Sequence, residues 1–325
     1  MKKIAVALLT LAVGASVAAC GSGAEDTGGK LKVGVMFPGS LSDDGFMQSG
    51  YEGYQRIEST LGEKVSLSKV EQVQTADYQQ VLTRLASTSN LVVSFGGQTD
   101  SVLRQVAPAF PGVKFVEIGG PADAAPLANL AYYDPMQDDG GYLAGAYAAL
   151  TSKTGKVAFL GGLELPAIVK TAKAFEQGAK QVKPEITVLA PQYVGDFNDV
   201  AKAKQAAQAG IGAGADVFGQ QLNLGHQGVA QAAKEGNASV VGGPVVKSCE
   251  AGSGYAGFVK EDTGAELEYA VHAVLDGTFK AEQVPFGLAS GKNATDIVLC
   301  TTDPAITAAM AKVKQDLTAG VLTIK

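Results

Sequence analysis

The sequence predicts an α/β protein of two doubly wound parallel-sheet lobes, joined by a hinge that the chain crosses several times. Three observations carry this. Short apolar runs of strand length alternate with segments of helical period. The alternation restarts after the turn TSKTG at 151–155, and 325 residues exceed what one core usually organises.

The stretch 31–57 sets the pattern. Leu31, Val33, Val35, Met36 and Phe37 form an apolar run that stops at Pro38-Gly39. A polar turn over 40–45 leads into Met47, Gly50, Tyr54, Ile57 and Leu61, whose steps of three and four share one helical face. Ser42 or Asp43 is placed to cap the first turn. Strands follow at 64–73, 91–95 and 113–118, with helices from 75 and over 99–109 between them. A short strand at 130–133 and a small-residue helix over 136–150 complete this half. The second half runs strand 156–162, helix 167–182, strand 186–193, turn 194–199, helix 200–211, strand 215–218, helix 225–235 and strand 239–243. A strand at 255–259 and a helix over 263–275 come too late for that tally and are expected to cross back to the first lobe. The tail from Asp296 is expected to return to the second. The N-terminal lobe is therefore 31–152 plus about 255–290, and the C-terminal lobe 153–254 plus about 291–325.

The chain begins with Met1-Lys2-Lys3 and the apolar run 4–13, too short to span a bilayer and built like a signal peptide over 1–19. Val17-Ala18-Ala19-Cys20 resembles the bacterial lipobox, in which the chain is cut before a cysteine that is then acylated. Cys20 is the expected lipidation site, and 20–30, rich in glycine and small polar residues, the tether. This places the protein on the outer face of the bacterial cytoplasmic membrane, or facing the periplasm, held by its lipid.

With 26 basic and 32 acidic residues the net charge is −6, and losing Lys2 and Lys3 makes the chain more acidic. Nucleic acid and bare anionic membrane surfaces are thereby excluded as partners. Export puts Cys249 and Cys300 in an oxidising compartment, where they are expected to pair and to contribute about 4 kcal/mol. With two histidines, no CxxC and no HExxH, no metal site is expected, and nothing calls for a cofactor.

Loops leaving the carboxyl ends of parallel strands meet ligands, and comparable loops occur in both halves. Phe46 follows Asp43-Asp44-Gly45, and Phe197 lies in Tyr193-Val194-Gly195-Asp196-Phe197-Asn198-Asp199. One aromatic from each lobe can sandwich a flat ring, with Asp43, Gln48, Gln98 and Asn223 reading its edge. The alternative is that both phenylalanines belong to the core. Asp43-Asp44 reads as a paired-carboxylate site or as helix capping, and His226 as a ligand contact, a cap or a surface residue. An enzyme such as a nucleoside hydrolase needs more than Asp43-Asp44-Gly45.

PGSLSDDGF at 38–46, GGYLAGAYAAL at 140–150, GKVAFLGG at 155–162, VGDFNDVAKAK at 194–204, GADVFGQ at 214–220 and GFVKED at 257–262 together resemble the basic membrane protein (BMP) family. These are substrate-binding lipoproteins of ABC importers that include purine nucleoside receptors. The resemblance covers 31 to about 291. It implies the type I periplasmic-binding-protein fold, a non-enzymatic monomer working with an ABC permease, and a purine nucleoside or nucleobase held between Phe46 and Phe197. Lys260 matches the family's ligand-cleft lysine. Two departures stand out: Met47 replaces the usual Asn, and 241–247 lacks the aspartate that grips ribose. Lys247 either occupies that vacancy or is a solvated surface lysine. A sugar or signalling molecule in the same fold, or a surface lipoprotein without a transport role, are the alternatives.

Overall fold

A computed structural model describes residues 29–292 and 294–325. The signal peptide, Cys20 and all but the end of the tether lie outside these residues.

The first half builds β1 (Leu31–Phe37), α1 (Phe46–Leu61), β2 (Val65–Glu71), α2 (Tyr78–Thr88), β3 (Leu91–Phe95), α3 (Asp100–Val106), β4 (Lys114–Ile118) and β5 (Leu130–Asp134). Next come α4 (Gln137–Thr151), β6 (Lys156–Gly161), α5 (Pro166–Val182), β7 (Thr187–Val188), β8 (Gln192–Tyr193), α6 (Val200–Gly212), β9 (Val217–Gln221), α7 (Gly225–Glu235) and β10 (Ser239–Gly242). The chain ends with β11 (Tyr255–Glu261), α8 (Thr263–Leu275), β12 (Gln283–Pro285), β13 (Thr295–Leu299) and α9 (Pro304–Thr318). One sheet has the order β12-β5-β4-β3-β1-β2, all parallel, and the other β13-β11-β10-β9-β6-β7. In the second sheet β13 alone runs antiparallel, against β11, and β8 pairs with β6 off the path.

The strands read as apolar runs because helices cover both faces. All five residues of β3 are buried, and layers of core lie on either side of each sheet. On α1 the predicted face is the buried one, with Met47, Gly50, Tyr54 and Ile57 against the sheet. The expected strand over 186–193 is two short pieces, β7 and β8. Pro191 sits between them and has no N–H for the ladder.

Two lobe assignments need correction. The strand at 255–261 belongs to the second sheet, with Val241 paired to Gly257 and Gly242 to Phe258. Parallel neighbours are usually joined by a helix. Here the helix-free loop 243–254 makes the connection, fastened by the Cys249–Cys300 disulfide, so the strand falls outside a β-α count. Helix α4 likewise packs in the second lobe. Gly141, Gly145 and Gly178 let α4 and α5 touch backbone to backbone, and a Cβ at Gly145 would lie 1.9 Å from the Phe175 carbonyl oxygen. The crossings between lobes therefore come after Asp134, after Glu261 and between Pro285 and Thr295. Helix α8 packs on α1 of the first lobe, and Arg56 of α1 pairs with Asp262 and Glu268 at its start.

Candidate functional site

The carboxyl edges of the two sheets face each other across a cleft, and loops from both meet in it. Phe46, Gln98, Phe197 and Asn223 line one cavity of about 110 Å³ together with Met47, Gln137, Leu165, Ile168 and Gln221. It adjoins a larger hollow of about 470 Å³, with Gln98, Gly119, Gln137 and Leu165 common to both.

Both aromatic rings are seated on glycine. Gly119, at φ +77° after β4, leaves room for Phe46, whose Cζ would be 2.8 Å from a Cβ there. Phe46 also meets Phe95 edge-on at 6.2 Å between centroids, and its carbonyl accepts from Thr263 Oγ1 at 3.1 Å. In the second lobe a Cβ at Gly162 would lie 2.2 Å from Cδ1 of Phe197. The two rings thus come from opposite lobes and face one space.

Asp43 lies behind this wall. It is 1% exposed, and its Oδ1 accepts the N–H groups of Gly45 and Gln48 at 2.9 and 3.1 Å, so it caps α1 from outside the helix. Burial pushes its carboxyl up to about 6 against those two donors, and Oδ2 has no partner among the described residues. Gln48 accepts the Asp44 N–H and lies outside the lining. The expected reading roles of Asp43 and Gln48 are therefore replaced by loop construction. Lys260 is also elsewhere. It is half exposed beside Ser49, Glu52 and Asp262, with Nζ 3.9 Å from Asp262. Alternation along β11 turns its neighbour Glu261 inward instead.

Glu261 is a residue that sequence reasoning missed. It is 3% exposed, and its Oε2 accepts from Gln221 Nε2 at 3.1 Å and Gln137 Nε2 at 3.4 Å. Burial pushes its carboxyl up to about 7, and the two amides pull the other way. Gln221 ends β9 and Gln137 begins α4, so the strand-end rule that found Asn223 also applies to Gln221.

The lobes are joined across the mouth by Asp44. Its Oδ2 accepts from Gln227 Nε2 at 2.7 Å and Lys247 Nζ at 2.5 Å. Burial opposes the charge of Asp44, yet Lys247 and Gln227 hold the carboxyl below its ordinary range. Beside it the Phe46 N–H donates to Asn223 Oδ1 at 3.3 Å. His226 is buried, its Nδ1 2.6 Å from the Tyr255 hydroxyl. Burial and then Lys247 lower its pKa to about 4, so it is neutral near pH 7 and Lys247 is the cation facing Asp44. Lys247 is thus committed to a contact between lobes.

Comparison with known proteins agrees with this architecture. The chain is 32% identical to an ABC transporter nucleoside-binding protein of Lactococcus lactis over 251 residues, 74% of this chain and 70% of that one. It is 29% identical to a purine-binding protein of Brucella abortus over 272 residues, 81% of this chain and 74% of the other. A solved solute-binding protein of an ABC transporter system from Aeropyrum pernix superposes with a TM-score of 0.77 at 19% identity, covering 90% of this chain and 92% of that one. Such proteins are extracytoplasmic and non-catalytic, and no helix among the described residues is long and apolar enough to cross a membrane. The family model for PnrA-like substrate-binding proteins of ABC transporters matches residues 30–291, and the chain belongs to that family, Bmp.

Proposed function

We propose that this substrate-binding protein is held to the membrane through a lipid on Cys20, captures a purine nucleobase or nucleoside between Phe46 and Phe197, and delivers it to an ABC permease as a monomer. The observation that carries the reading is the pair of aromatic rings, one from each lobe, set in a single cavity with four side-chain amides, Gln98, Gln137, Gln221 and Asn223. Flat faces and an amide-lined edge suit a planar heterocycle with several hydrogen-bonding positions. The names of the Brucella and Lactococcus relatives point the same way. A ligand that touches both rings does so only when the lobes are closed, so its binding favours the closed form that a permease recognises.

The stretch 241–247 has no acid to grip a ribose, and its one cation, Lys247, is spent on Asp44. A free base is therefore the favoured cargo. The test is a thermal-shift screen of the ligand-stripped protein against bases, nucleosides, sugars and amino acids. Stabilisation by purines supports the reading, and stabilisation by sugars or amino acids alone rejects it. For the anchor, Cys20→Ala is expected to move the protein from the membrane fraction to the soluble one.

A further inference from the structure

Glu261 fixes which way two of the cleft amides point. Oε2 of Glu261 accepts from both amides, so Gln137 and Gln221 turn their Nε2 groups toward it, at 3.4 and 3.1 Å. The atom each has left is Oε1, without a protein partner among the described residues, and both side chains line the Phe46–Phe197 cavity. Asn223 has the opposite setting, because its Oδ1 takes the Phe46 N–H and leaves the NH₂ group over. Gln220, next in the chain, is excluded from reading. Its Nε2 donates to the Gly243 carbonyl at 3.0 Å and its Oε1 accepts the Leu222 N–H at 2.6 Å.

We propose that Glu261 is a positioning residue that sets specificity: by presenting the carbonyl oxygens of Gln137 and Gln221 to the cleft, it selects a purine bearing an exocyclic amine over its oxo counterpart. The inference rests on the purine reading above and sharpens it. An exocyclic amine offers two N–H donors to the two oxygens. A keto oxygen in the same place sets acceptor against acceptor and leaves buried polar atoms unpaired, the situation by which sites discriminate strongly.

The test is calorimetric titration of the ligand-stripped full-length protein with adenine and with hypoxanthine, repeated on Glu261→Gln. The wild type is expected to bind adenine about tenfold more tightly. In Glu261→Gln a side-chain NH₂ replaces the acceptor, lets one neighbouring glutamine reverse, and brings the ratio towards one. A purely structural role would weaken both ligands by the same factor. Equal wild-type affinities, a preference for hypoxanthine, or a parallel loss in the variant overturns the inference while leaving purine binding intact. Should Glu261→Gln fail to fold, Gln221→Met removes one of the two oxygens and is expected to lower the same ratio; an unchanged ratio there overturns the inference. Binding of neither base removes the purine reading and this inference with it.

Discussion

The two walls of the cleft carry similar short sequences and are built differently. In the first lobe, the turn before Phe46 stands on a buried acid, Asp43, and the floor beside it covers a second one, Glu117, beneath Gly120. Glu117 accepts from Thr99 Oγ1 at 2.6 Å, and Thr99 accepts in turn from Ser94 at 3.0 Å. In the second lobe, the turn before α6 lies at the surface. Asp199 caps that helix by accepting the Lys202 N–H at 2.9 Å, while Phe197 is half-buried, as Phe46 is. One wall is thus fixed by buried polar groups committed to backbone and hydroxyl donors, and the other rests on an ordinary surface cap.

Replacing the aromatics breaks this comparison most strongly. Phe46→Ala is expected to weaken purine binding about 100-fold, from lost burial and stacking, and also to lower the melting temperature, because its ring packs on Phe95. Phe197→Ala is expected to weaken binding by a similar factor with little change in melting. Calorimetry and thermal melts on the two variants check both halves.

The caps come next. Asp43→Ala leaves the Gly45 and Gln48 N–H groups without their acceptor and is expected to cost about 2 kcal/mol in urea unfolding. Asp199→Ala removes a surface cap and is expected to lower urea stability by clearly less than Asp43→Ala does. Equal costs would erase the difference between the walls.

Glu117 gives the contrast a pH signature. Burial, against the Thr99 hydroxyl, pushes its carboxyl up to about 8 from an ordinary 4.5. Between those values the folded protein holds a proton that the unfolded chain releases, so stability falls as pH rises through the window. The melting temperature is expected to fall less between pH 5 and 8 in Glu117→Gln than in the wild type.

The smallest effect is expected at the bridge between lobes. Asp44 and Lys247 are partly exposed, so Lys247→Met is expected to weaken ligand binding a few-fold and to enlarge the radius of gyration of the unliganded protein in small-angle scattering.

Much of this site was legible because its residues sit where local rules point. Phe46, Gln98, Phe197 and Asn223 each follow a strand recognisable by its apolar run and begin or precede a helix recognisable by its period. What was not legible depends on register and close packing. Glu261 and Lys260 are adjacent, and only the pairing of β11 between β10 and β13 decides which of them turns inward. The lobe of α4 is set by glycines that admit a neighbouring backbone, which periodicity does not record. Asp43 looked like a ligand contact because an acid in a cleft loop reads the same whether it faces a ligand or its own backbone.

The central claim is that a planar ring lies between Phe46 and Phe197. A crystal structure of the ligand-stripped protein soaked with adenine tests it directly. The account predicts one ring stacked between the two phenylalanines, with its amine toward Gln137 and Gln221. Adenine lying in the neighbouring hollow by Lys170 or beside Lys260, with the space between the two rings unfilled, would contradict it.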